Sequence, residues 1–188
     1  MLNILESIHE HQQVIKGLEV LVPQIEQISQ RVTQAVQQGG TVFWLGNGGS
    51  AADAQHLAAE LIGRFTQERR AIPSLSLSTD TSVLTCLSND YDYSLVFARQ
   101  LEGLCHAQDV VVGLSTSGNS PNVLKGMEVA KQKGACTVGL TGQQGGKLMA
   151  CTDFCLTVPS KITARIQEAH ILIGHMICEW VENAVAKQ

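Results

Sequence analysis

The sequence predicts an α/β fold, a parallel sheet with helices on both faces behind a helical N-terminal segment. Three observations predict it. From residue 41 onward, short apolar runs alternate with helical stretches, the alternation of βαβ units. Those runs, such as "DVVVGLS" and "CTVGLTG", are near-continuous in Val and Leu rather than alternating, as in strands buried on both faces. Two of them end in glycine- or serine-rich loops that open directly into helices.

In chain order, residues 2–38 read as helix, with apolar residues at Leu5, Ile8, Val14 or Ile15, Leu18 and Leu21, then Ile25, Ile28, Val32 and Val36. Pro23 is expected to break or kink this run into two helices, and Gly39-Gly40 to end the second. The segment suits a helical layer or a contact between subunits. A strand at "TVFWLG" follows, then a helix over 51–65, a strand at "PSLSLS", and helices near 80–88 and 93–105. Next come a strand at "DVVVGLS", a helix over 121–133 closed by Gly134, strands at "CTVGLTG" and "FCLTVP", and a long helix over 163–186. With no internal repeat and no linker, residues 1–188 are expected to form one domain.

Composition narrows the function. The chain is 44% apolar and 16% charged with a net charge of −4, which argues against a general nucleic-acid or anionic-membrane surface. No run approaches a membrane span of roughly 18 apolar residues. The start, "MLNILESIHEHQQ", has no cationic stretch leading into an apolar one. Six scattered cysteines without a CxxC pair read as reduced thiols rather than as a zinc ribbon. The expected location is the cytoplasm.

Two loops carry candidate chemistry. In "LGNGGSAADAQH", Gly46 to Ala51 satisfies G-x-G-x-x-A. That dinucleotide fingerprint calls for a carboxylate about twenty residues on, at the end of the second strand; the second strand, "PSLSLS", offers none until Asp80, so a nucleotide is disfavoured. A tight turn explains part of the glycine content. Asn47, Gly48, Gly49 and Ser50 together exceed what a turn needs and point to a ligand loop. In "LSTSGNSPNV", Ser115, Thr116, Ser117 and Ser120 place four hydroxyls beside a helix start, with Pro121 at a first-turn position. Free N–H groups and the helix dipole favour an anion there. One hydroxyl would suffice to cap the helix, so four read as a phosphate cradle. No Walker lysine follows.

His56 and Glu60, spaced i, i+4, share a helix face; alone, such a pair is usually a surface or core hydrogen bond. The last helix adds Gln167, His170 and His175 in an apolar stretch. Gln167 and His175 lie about 80° apart around an ideal helix, close enough to share a face where buried polar groups need partners. His170 reads equally as a core or a surface histidine, and Glu168 as a solvated carboxylate.

The stretches "GNGGSAADAQHLAAEL", "LSNDYDYSLVFARQ", "STSGNS", "LTGQQGGKL" and "ARIQEAH" with a later histidine resemble the sugar-isomerase (SIS) domain family, and within it the phosphoheptose isomerases. The resemblance covers nearly the whole chain. It implies a three-layer fold with a five-stranded parallel sheet, and a homotetramer with active sites at subunit contacts. It also implies conversion of sedoheptulose 7-phosphate to D-glycero-D-manno-heptose 7-phosphate, the entry to ADP-heptose for lipopolysaccharide. By motif, Asn47, Gly48, Gly49 and Ser50 would border the sugar, with Asn89, Asp90 and Gln167 also reaching it. Ser115, Thr116, Ser117 and Ser120 would hold the phosphate. His56, Glu60, Gln167 and His175 match the family's zinc-binding set, and Glu60 and His175 its acid/base pair. Ala51-Ala52 and Ala164 look instead like a non-enzymatic SIS relative that binds the bacterial replication initiator. That relative lacks the glutamate and histidine found here at 60 and 175, so the resemblance favours the enzyme and keeps the adaptor as the alternative.

Overall fold

The computed structural model describes residues 3–186. Helix α1 (Ile4–Lys16) passes through a 3-10 turn (Gly17–Leu21) into α2 (Val22–Gln37). The expected break thus falls a turn before Pro23. Pro23 sits in the first turn of α2, where its missing N–H would have had no partner in any case, and Gly17 ends α1 instead.

The remaining elements follow the expected order. They are β1 (Val42–Gly46), α3 (Gly49–Ile62), β2 (Ser74–Ser76), α4 (Thr81–Asp90), α5 (Ala98–Leu104), β3 (Val110–Ser115), α6 (Pro121–Gln132), β4 (Cys136–Thr141), α7 (Leu148–Cys151), β5 (Phe154–Thr157) and α8 (Thr163–Val185). The helix expected over 93–105 begins as a separate 3-10 turn at Tyr93–Leu95. The short α7 was not expected; four residues carry no readable period.

All five strands are parallel, in the order β2-β1-β3-β4-β5. Strands β1, β3 and β4 are buried throughout, as their unbroken apolar runs require. One face packs under α2, α3 and α8 around Ile28, Trp44, Leu57, Val112 and Ile173. The other packs under α5, α6 and α7 around Phe43, Leu45, Phe97 and Met127. Each such fully buried aliphatic or aromatic side chain contributes about 1.5–3 kcal/mol relative to exposure. Helix α1 has no buried residue. Its half-buried Val14 and Ile15 pack against the core, and polar contacts tie it to α8: His11 Nδ1 lies 2.7 Å from Glu168 Oε2, and Arg165 donates to Ser7 O. Among the described residues, no helix is long and apolar enough to cross a membrane.

The sheet order has one consequence for function. From β1 the chain moves outward to β2, then crosses back to β3 on the other side. The loops after β1 and β3 therefore leave in opposite directions and open a crevice at the carboxyl ends of the strands, where open α/β sheets bind ligands.

Candidate active site

Both ligand loops identified by sequence border this crevice. After β1, Gly48 has φ +56° and sits at the N-cap of α3, a left-handed conformation that suits glycine. A Cβ on Gly49 would lie 2.6 Å from Gln167 Nε2, so only glycine lets the α8 amide rest against the start of α3. Ser50 is buried in the same turn. Asn47 is held by a reciprocal amide pair, donating to Asn122 Oδ1 at 2.9 Å and accepting from Asn122 Nδ2 at 2.8 Å. The Tyr93 hydroxyl also donates to Asn47 Oδ1, at 3.0 Å. This pair links the two loops across the crevice.

In the loop after β3, Ser120 occupies the N-cap of α6 without capping it. Its hydroxyl instead pairs with that of Ser115, 2.9 Å away. Pro121 has no N–H to offer and Val123 N donates to Asn122 Oδ1 at 3.0 Å, so the Asn122 N–H is the first-turn donor left open toward the loop. Ser117 Oγ accepts from Asn119 N at 3.2 Å. The loop separates two clefts. Thr116 and Ser117 line one of about 340 Å³ with Gln143, Lys161 and Thr163. Ser120 lines another of about 510 Å³ with Asn47, Tyr93 and Lys125.

Helices α3 and α8 run side by side in the same direction, close because Gly174 faces Leu57, whose methyls would overlap any Cβ there. Their outer edge carries the titratable groups. His56 Nε2 lies 2.9 Å from Glu60 Oε1 and 3.3 Å from His175 Nε2, and the three ligand atoms all fall within 4.8 Å of one another. Two imidazole nitrogens and a carboxylate oxygen form a donor set suited to a divalent cation. Ligands at 2.0–2.1 Å around a tetrahedral zinc stand about 3.3 Å apart, and the two pairs that share His56 Nε2 are near that spacing.

The other expected residues lie elsewhere. Gln167 rests against Gly49, and seven residues of α3 separate Gly49 from His56, about 10 Å along the helix. Asn89 and Asp90 are exposed at the end of α4 and bonded to each other at 2.8 Å. His170 is fully buried. Asn122, Tyr93 and Asp53 were not singled out from sequence. Asp53 stands one turn before His56, and that i, i+3 spacing was the available signal.

Electrostatics separate these groups. Burial, then the facing His56, lower the pKa of His175, against an opposing pull from Glu60. Burial pushes the Asp53 carboxyl up to about 6, with His56 pulling it back, and its Oδ2 has no hydrogen-bond partner. Such perturbed groups cluster at functional sites more often than elsewhere.

A family model described as "SIS domain" matches residues 8–142, and the chain belongs to this family. Within it, the similarity is to phosphoheptose isomerases. That of Aneurinibacillus thermoaerophilus is 50% identical over 167 residues, 89% of this chain and 84% of that protein. Phosphoheptose isomerase 1 of Campylobacter jejuni is 45% identical over 185 residues, 98% of this chain and all of that protein. The solved phosphoheptose isomerase of Neisseria gonorrhoeae superposes with a TM-score of 0.90 at 39% identity, covering 96% of this chain and 97% of that one.

Proposed function

We propose that the chain is an aldose–ketose isomerase that converts D-sedoheptulose 7-phosphate to D-glycero-D-manno-heptose 7-phosphate. The reading rests on the His56, Glu60 and His175 cluster in a chain about half identical to phosphoheptose isomerases. Isomerisation moves one proton between adjacent carbons and another between their oxygens. Glu60 and His175 come from separate helices and lie within 4.8 Å of each other, placed to serve as the acid/base pair flanking an enediolate. The start of α6, with the hydroxyls of Ser115, Thr116, Ser117 and Ser120, holds the phosphate. Asn47, Gly48, Gly49, Ser50 and Gln167 border the sugar, and Asn89 and Asp90 are assigned to the substrate on the family resemblance alone.

His56, Glu60 and His175 would hold a zinc ion, which when bound would supply Lewis-acid polarisation of the carbonyl; Gln167, the fourth ligand on the family resemblance, rests instead against Gly49 in this chain. We place the enzyme in the cytoplasm, supplying ADP-heptose for lipopolysaccharide, as a homotetramer. The exposed Ile4, Leu5 and Ile8 of α1 suit a subunit contact. A coupled assay with sedoheptulose 7-phosphate, with and without chelator, tests the reading. Turnover is expected, and a metal requirement would appear as loss with chelator and recovery on adding zinc. A folded protein with no turnover on this substrate, with or without zinc, would overturn it.

A further inference from the structure

Glu182 lies on α8 seven residues beyond His175, two turns along nearly the same face, and its side chain is 0% exposed. A carboxylate is retained out of water only when its lone pairs are met. Here every partner comes from one segment, the loop leaving α3. Glu182 accepts from Phe65 N at 2.7 Å, Thr66 N at 2.6 Å, Thr66 Oγ1 at 2.9 Å and Gln67 N at 2.9 Å. It also pairs at 3.4 Å with Nε of Arg69, whose side chain is 1% exposed.

Two arms of this loop return to the active-site cluster. Arg69 Nη2 donates to the backbone carbonyl of Glu60 and Nη1 to that of Gly63, each at 2.7 Å. The guanidinium thus fixes the last turn of α3, where Glu60 sits. The Phe65 ring lies 5.4 Å from the His175 ring and walls that imidazole. Packed apolar residues of similar size would hold two helices together at least as well as a buried charge. Those residues would not organise three consecutive N–H groups.

We propose that Glu182 is a positioning residue, which ties down the 65–69 loop so that Phe65 orients His175 and Arg69 orients the turn bearing Glu60. This rests on the isomerase reading of the cluster. A merely structural Glu182 would affect stability and leave the kinetics of the folded protein alone. Four variants of the full-length protein separate the two: Glu182→Gln, Thr66→Ala, which removes a single donor, and Phe65→Ala set against Phe65→Leu.

For Phe65→Ala, kcat should fall about tenfold with KM little changed, as expected for sub-ångström misplacement, and Phe65→Leu should recover most of it. Glu182→Gln should match Phe65→Ala in kcat, and combining them should add little, as for residues acting through one element. Amides 65–67 should exchange about tenfold faster in Glu182→Gln and partly so in Thr66→Ala, with the strand amides unchanged. If Glu182→Gln does not fold, the Thr66→Ala exchange rates and the Phe65 pair decide. Unchanged kcat in the folded variants, or unchanged exchange at 65–67, overturns the proposal. A wild type without turnover sinks the isomerase reading instead, and the exchange measurement still decides whether Glu182 anchors the loop.

Discussion

The outer edge and the buried seam of the α3–α8 pair use the same residue types to opposite ends. In the seam, Glu182 accepts four hydrogen bonds and His170 is fully buried with Nε2 3.2 Å from Thr141 O. At the edge, the Glu60 carboxylate has His56 as its hydrogen-bond partner among the described residues, and the imidazoles of His56 and His175 face each other. The difference is capacity within reach of a ligand: His170 Nδ1 has no hydrogen-bond partner but is shut away from solvent, whereas the edge groups are open. A carboxylate saturated by backbone N–H groups has nothing left for a substrate. One facing two imidazoles at an open edge can exchange a proton or hold a cation.

The largest expected effect follows from removing that capacity. Glu60→Gln keeps the size of the side chain and removes one member of the proposed acid/base pair, so kcat should fall by about 10²–10⁴ while the melting temperature stays close to wild type. In deuterium oxide, wild-type product should carry deuterium on the carbon next to the carbonyl. No label across pH and temperature would remove the main support for assigning Glu60 to proton transfer. An inactive wild type that captures the replication initiator, with or without Glu60, would replace the enzyme with the adaptor.

Much of this contrast was readable in advance, and the unread part has physical causes. The buried strands announced themselves through unbroken Val and Leu runs, and the two ligand loops through glycine and hydroxyl content next to helix starts. His56 and Glu60 share a face by spacing alone. Nothing local distinguishes His170 from His175, because burial depends on how α8 lies against β4. Glu182 and Arg69 are 113 residues apart in number, and only the close parallel packing of α3 and α8 makes them partners. The Asn47–Asn122 pair was hidden for the same reason, since it bridges two loops that meet only at the sheet's switch point. The helix break was misplaced by one turn because proline is tolerated at a helix start as readily as it interrupts a helix interior.

The serine loop lies between the two extremes, with some hydroxyls paired to each other and a helix start left uncapped. Replacing Ser117 and Ser120 together with Ala should raise KM more than it lowers stability. Each lost hydrogen bond to a charged phosphate costs about 1.5–3 kcal/mol, roughly ten- to hundredfold in binding. Competition by inorganic phosphate should weaken in parallel. An unchanged KM would move the phosphate site away from this loop.

The smallest effect tests the seam through pH. Burial holds the His170 imidazole down to about 4, with its bond to Thr141 O opposing, against an ordinary 6.5. Its folded pKa is therefore below its unfolded one, and the unfolded chain binds the extra proton between these values. The stability from keeping His170 neutral is whole above pH 6.5 and is lost as pH falls toward 4, amounting to about 2 kcal/mol between pH 7 and 5. Asp53 acts in the opposite direction. Its folded pKa is raised to about 6, so the fold regains stability as that carboxyl protonates below pH 6. Denaturant midpoints from pH 7 to 5 should therefore fall only gently in the wild type and more steeply in Asp53→Asn. In His170→Gln, whose amide can still donate to Thr141 O, the acid loss should vanish. If His170→Gln and wild type fall in parallel, His170 is protonated or accessible in the fold, and the division between a sealed seam and an available edge fails on its own helix.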